Sequence, residues 1–173
     1  MHPPILFVLG GARSGKSRYA QRRAEALPGD LVYVATAQAF DDEMAARIAS
    51  HRTDRGARWR TVEAPLALAG TIAAEAQPDR VLLVDCLTLW ASNLLLADRA
   101  DGEGADAAAG LVAALAAASG PVILVANEVG LGIVPDNALA RRFRDIAGRI
   151  NQAVAAAAHE VQFIDAGLPL RLK

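Results

Sequence analysis

Ile5-Leu6-Phe7-Val8-Leu9-Gly10-Gly11-Ala12-Arg13-Ser14-Gly15-Lys16-Ser17 is the stretch that decides the fold. The five apolar residues at its start read as a buried strand. The next eight fit G-x-x-x-x-G-K-[ST] in full. Lys16–Leu27 reads as a helix, stopped by Pro28-Gly29. Strand, glycine-rich loop and helix make a phosphate cradle for a physical reason. Glycines let the backbone turn so that successive N–H groups face phosphate oxygens. The positive end of the following helix adds a favourable field. Gly10, Gly11, Ala12, Arg13, Ser14, Gly15, Lys16 and Ser17 are therefore candidate nucleotide-binding residues. Lys16 would reach the β- and γ-phosphates as a catalytic group, and the Ser17 hydroxyl would bind Mg²⁺. The alternative is a glycine-rich turn with an incidental lysine, which the flanking strand and helix argue against.

Outward from this loop, short aliphatic runs alternate with helical stretches. Strands are expected at Leu31–Ala35, Trp59–Val62, Val81–Val84 and Val122–Ala126. Helices are expected at Asp41–Arg55, from Pro65 to near Ala76, and at Leu87–Leu96, Ala107–Ser119 and Asn137–Ala158. In the last, Leu139, Phe143, Ile146, Ile150 and Val154 recur every three or four residues. Val161–Ile164 and Leu168–Leu172 flank Asp165-Ala166-Gly167 as a hairpin. The pattern implies an α/β fold, P-loop NTPase-like and RecA-like, with a mainly parallel sheet flanked by helices and a C-terminal antiparallel hairpin. At 173 residues the chain is expected to form a single domain over 1–173. The acidic stretch Ala97–Asp106 reads as an exposed loop.

Three further places carry chemistry. Asp85 follows the apolar run Val81–Val84 and either shares Mg²⁺ with Ser17 or caps the segment after it. From Arg47 to Arg60 there are five arginines and one aspartate, a local charge of +4 in a chain whose net charge is −1. Arg47 and His51 are four apart and share a helix face. His51 is either a solvated histidine or a nucleophile. Neighbouring cations disfavour the imidazolium and keep a lone pair available. Arg47, Arg52 and Arg55 would steady charge on a triphosphate under attack. Asn127 and Glu128 follow Val122–Ala126 at what would be the carboxyl end of a parallel strand, where open α/β sheets bind ligands. They are candidates for the nucleotide or for an ordinary loop cap. No Asn-Lys-x-Asp guanine loop occurs in the sequence.

Composition narrows the classes. Eighteen Lys+Arg against nineteen Asp+Glu leave no basic excess, so no nucleic-acid partner is expected. One cysteine, Cys86, excludes an intramolecular disulfide framework and a Cys-rich zinc site. No run approaches the roughly 20 apolar residues of a membrane helix, and the first residues do not read as a signal peptide. A cytoplasmic setting is the expectation.

Taken together, these segments resemble the bifunctional adenosylcobinamide kinase/adenosylcobinamide-phosphate guanylyltransferase family of cobalamin biosynthesis. The likeness spans nearly the whole chain. It rests on Gly10–Ser17, on Ala35-Thr36-Ala37-Gln38 with Asp41–Met44, Arg47-Ile48 and His51, and on Trp59–Glu63. It continues through Asn127–Pro135 and Phe143–Gln152. The resemblance implies two reactions. ATP or GTP phosphorylates adenosylcobinamide; GTP then gives GMP to that phosphate through a guanylyl-histidine, yielding adenosylcobinamide-GDP. It implies His51 as the nucleophile, Glu63 among the nucleotide-binding residues, Mg²⁺ as cofactor, and a homotrimer. Ser50 stands where some relatives carry a second histidine. Two competing readings are a monofunctional P-loop small-molecule kinase and a nucleotide-regulated binding module without turnover.

Overall fold

The computed structural model describes residues 3–38, 56–97 and 104–173. The elements run β1 (Ile5–Gly10), α1 (Lys16–Glu25), β2 (Asp30–Ala35), β3 (Trp59–Glu63), α2 (Leu68–Glu75), β4 (Arg80–Asp85) and α3 (Leu87–Leu96). They continue with α4 (Ala105–Ala117), β5 (Val122–Asn127), α5 (Ala138–Ala157), β6 (Glu160–Asp165) and β7 (Leu168–Arg171). Seven strands form one sheet in the order β3-β2-β4-β5-β1-β6-β7. All pairings are parallel except β6 with β7. The α/β architecture with a terminal antiparallel hairpin is the one expected.

The strands in the middle of the sheet are apolar between their ends because helices cover both faces. In β1, Ile5, Phe7 and Leu9 face one core and Leu6 and Val8 the other. This is the two-residue alternation of a pleated strand. The larger core lies under α2, α3, α4 and α5, with Phe7, Leu68, Ile72, Leu111, Leu115, Ile146, Ile150 and Val154 at its centre. On the opposite face α1 packs through the fully buried Ala20 and Ala24. Truncating a side chain such as Phe7 to alanine costs about 3–5 kcal/mol.

Several boundaries move for local reasons. The helix expected from Pro65 begins at Leu68. The carbonyls that would open it are taken by α3: Asn93 donates to Pro65 O at 3.0 Å and Trp90 Nε1 to Leu66 O at 3.0 Å. Asn137 is the N-cap of α5 rather than part of it, its Oδ1 accepting the Ala140 N–H at 3.1 Å. α4 starts at Ala105, so Asp106 sits in its first turn rather than in a loop. There its charge meets the positive end of the helix. The expected helix Asp41–Arg55 lies outside the described residues, as do residues 98–103.

Candidate active site

The carboxyl ends of the parallel strands bring most of the candidate residues to one edge. Residues 10–17 join β1 to α1 there. Arg13 and Gly15 both take positive φ, 56° and 95°. These left-handed residues fold the loop into a concave turn of N–H groups. At Gly10 only glycine fits: a Cβ would lie 2.5 Å from Ile164 O and 2.5 Å from Ser14 Oγ. Ser14 is buried, and its Oγ has no hydrogen-bond partner among the described residues.

Lys16 is 8% exposed, and its Nζ donates to Gly11 O at 3.0 Å. Burial lowers its pKa, while the charge of Asp85 pulls the other way. The ammonium is thus folded over the loop, with the Asp85 carboxylate attracting it. Ser17 is exposed at the start of α1.

Asp85 is the last residue of β4 rather than the residue after it. In the sheet β5 lies between β4 and β1. Asp85 is thus two strand spacings, roughly 10 Å, from the phosphate-loop strand. A polar scaffold fixes this end of β4. The buried Thr36 hydroxyl, just after β2, donates to Cys86 O at 2.8 Å and accepts from Cys86 N–H at 2.9 Å. Asn93, buried in α3, donates to Thr36 O at 2.7 Å. Composition and motif reading missed these roles. The available signal was Asn93 itself, a lone amide inside the otherwise apolar stretch Leu87–Leu96 that needs buried partners.

Asn127 ends β5 opposite Gly10. Its N–H donates to Thr88 Oγ1 at 2.7 Å, and Glu128 N–H donates to Gly10 O at 3.1 Å. The two residues therefore stand beside the phosphate loop, at the carboxyl end of a strand parallel to β1. The Glu128 carboxylate turns back onto Gly130 N–H at 2.5 Å. Glu63 is exposed at the end of the edge strand β3, four strands from β1, or roughly 19 Å. The structure does not bring Glu63 to the phosphate loop. His51, Arg47, Arg52 and Arg55 lie outside the described residues.

The donor set suits Mg²⁺. A hydroxyl and a carboxylate are hard oxygen ligands, and Mg²⁺ commonly takes one or two protein ligands with substrate phosphates supplying others. Among the described residues no cluster of three or more His, Cys, Asp or Glu forms a self-sufficient metal cage.

The family described as cobinamide kinase / cobinamide phosphate guanyltransferase matches residues 6–172. The chain belongs to this family. Among relatives of the cobinamide kinase / cobinamide phosphate guanyltransferase family, the bifunctional adenosylcobalamin biosynthesis protein CobP of Pseudomonas aeruginosa is 53% identical over 169 residues. That alignment covers 96% of this chain and 95% of that protein. The bifunctional adenosylcobalamin biosynthesis protein CobU of Salmonella typhimurium is 47% identical over 184 aligned positions, 98% of this chain and 99% of that protein. Among solved structures, the ATPase EscN of the enteropathogenic Escherichia coli type III secretion system superposes with a TM-score of 0.59 at 12% identity. It covers 98% of this chain and 48% of that one. A prototypical ATPase from the type III secretion system of pathogenic bacteria gives 0.55 at 13% identity, covering 98% and 58%. The chain spans about half the length of these ATPases, and the likeness shows a shared fold. Among the described residues no helix is long and apolar enough to cross a membrane.

Proposed function

We propose that this chain phosphorylates adenosylcobinamide with ATP or GTP and then transfers GMP from GTP to the product, giving adenosylcobinamide-GDP and pyrophosphate. The observation that carries the reading is an intact phosphate loop, with Lys16 folded over it, in a chain matched by this family almost from end to end.

In the first step residues 10–17 hold the triphosphate and Lys16 neutralises charge on the β- and γ-phosphates. The acceptor hydroxyl takes the γ-phosphoryl group and the nucleoside diphosphate leaves. Phosphoryl transfer asks mainly for positioning and charge neutralisation. Ser17 and Asp85 would hold Mg²⁺, which would offset phosphate charge. Asn127 and Glu128 sit beside the loop, where they would orient the acceptor or the nucleotide.

In the second step a His51 ring nitrogen attacks the α-phosphorus of GTP and pyrophosphate leaves. Arg47, Arg52 and Arg55 offset the charge that develops. A phosphate oxygen of the acceptor then takes GMP and frees the histidine. Glu63, remote from the phosphate loop, belongs with this step. The segment between β2 and β3 carries His51 and departs from Thr36, next to the Asp85 end of β4. We also propose a single domain over 1–173, a homotrimer, and a cytoplasmic setting where both nucleotides are plentiful.

The test is incubation with α-labelled GTP and Mg²⁺, followed by mass spectrometry of the protein. His51→Ala should lose the GMP adduct and keep phosphorylation of adenosylcobinamide; Lys16→Ala should lose the phosphorylation. An adduct that survives in His51→Ala would sink the nucleophile assignment. A wild-type chain that phosphorylates but never takes up GMP would be a monofunctional kinase.

A further inference from the structure

The β6–β7 hairpin reaches past the sheet and touches the phosphate loop. Gly167 N–H donates to Ser14 O at 2.8 Å. A Cβ on Gly15 would lie 3.3 Å from Gly167 Cα, so the two glycines meet backbone to backbone. The turn holds its shape through two positive φ angles, 48° at Ala166 and 81° at Gly167. On the other side of the loop, Gly15 O accepts the Tyr19 N–H of α1 at 3.0 Å.

A phosphate loop works only if its N–H groups, not its carbonyls, face the anion. In a trans peptide the C=O and the following N–H point in opposite directions. Whatever holds the Ser14 carbonyl outward therefore turns the Gly15 N–H inward. Gly15 has no Cβ to resist rotation of that peptide plane, so the restraint must come from elsewhere. A flipped plane would set a carbonyl oxygen against the phosphate.

We propose that Gly167 is a positioning residue for the triphosphate: its backbone N–H anchors Ser14 O and so aims the Gly15 N–H into the phosphate loop. This rests on the reading of residues 10–17 as the triphosphate site. It gives the C-terminal hairpin a part in nucleotide binding.

The experiment compares two substitutions on the full-length chain. A Cβ at Gly167 would meet nothing within 4 Å, so there is open space where either side chain begins. They differ in whether the backbone can keep a positive φ, which asparagine tolerates and β-branched valine resists. Gly167→Val should weaken GTP binding about tenfold in calorimetry. It should raise KM for the triphosphate while KM for adenosylcobinamide stays put. Gly167→Asn should stay within about threefold of wild type. Wild-type GTP affinity in Gly167→Val overturns the proposal. Should that variant fail to fold, the unmodified chain answers by amide exchange, since coupling between two sites is reciprocal. GTP should slow exchange of the Gly167 amide, and an unchanged rate overturns the proposal. A wild-type chain that binds no GTP refutes the triphosphate site itself, a different result from a binding wild type matched by Gly167→Val.

Discussion

Lys16 shows what the loop costs the chain when it stands alone. Its ammonium is buried and donates to a neutral carbonyl, and burial lowers its pKa while the Asp85 charge pulls the other way. On the proposed function, an incoming triphosphate would supply countercharge to it. Glu160 is the opposite case. Its carboxyl is held at about 2, below the ordinary 4.5, chiefly by the bond from Arg23, with contacts of 2.7 Å to both oxygens. Because the folded value is depressed, the pair stabilises the fold above about pH 4.5, and that contribution fades as pH falls toward about 2. Glu160→Gln should therefore lower stability by about 1 kcal/mol at neutral pH, both partners being partly exposed. Thermal melts across pH should show the gap from wild type closing between about 4.5 and 2. A gap that persists at the acid end would mean the loss is one of packing rather than charge.

At the scale of elements, Thr36 ties the end of β2 to the end of β4, and Asn93 ties both to α3. Thr36→Val would strand the N–H of Cys86, while Cys86 O would keep the Trp90 N–H, at a cost of about 2 kcal/mol. That corresponds to a fall in Tm of roughly 4–8 °C, and Thr36→Ser should recover most of it. A valine variant as stable as wild type would remove the clamp from the account. The same comparison explains what could be read in advance. The strand β1 and residues 10–17 were legible because their requirements are local: an apolar run, a fixed glycine spacing, a helix to follow. The ends of α3 were legible for similar reasons. The Thr36 clamp was not, because its bonds join residues 50 and 57 positions apart. Gly167 looked like a hairpin glycine and nothing more, since its contact with Ser14 exists only once β6 lies beside β1.

The whole molecule leaves apolar surface uncovered. Leu131 and Ile133 are 83% and 96% exposed in the connection after β5, and Leu168, Leu170 and Leu172 are exposed at the far edge of the sheet. A homotrimer would give such surface an occupant. Sedimentation of the purified chain at micromolar concentration should return three times the mass of one chain; a monomeric mass would withdraw that assembly. The order of the strands carries a consequence for synthesis. The first strand made, β1, lies between two of the last, β5 and β6. Ile5 N–H donates to His159 Nδ1, 154 residues further along the chain. At ordinary translation speeds the partner emerges roughly 8–30 s later. Until β5 emerges β1 has neither of its strand neighbours, and until β6 follows the phosphate loop lacks the hairpin that touches it. A nascent chain stalled before β5 should therefore hold no nucleotide, and Ile5–Leu9 should offer a ribosome-bound chaperone an open landing place.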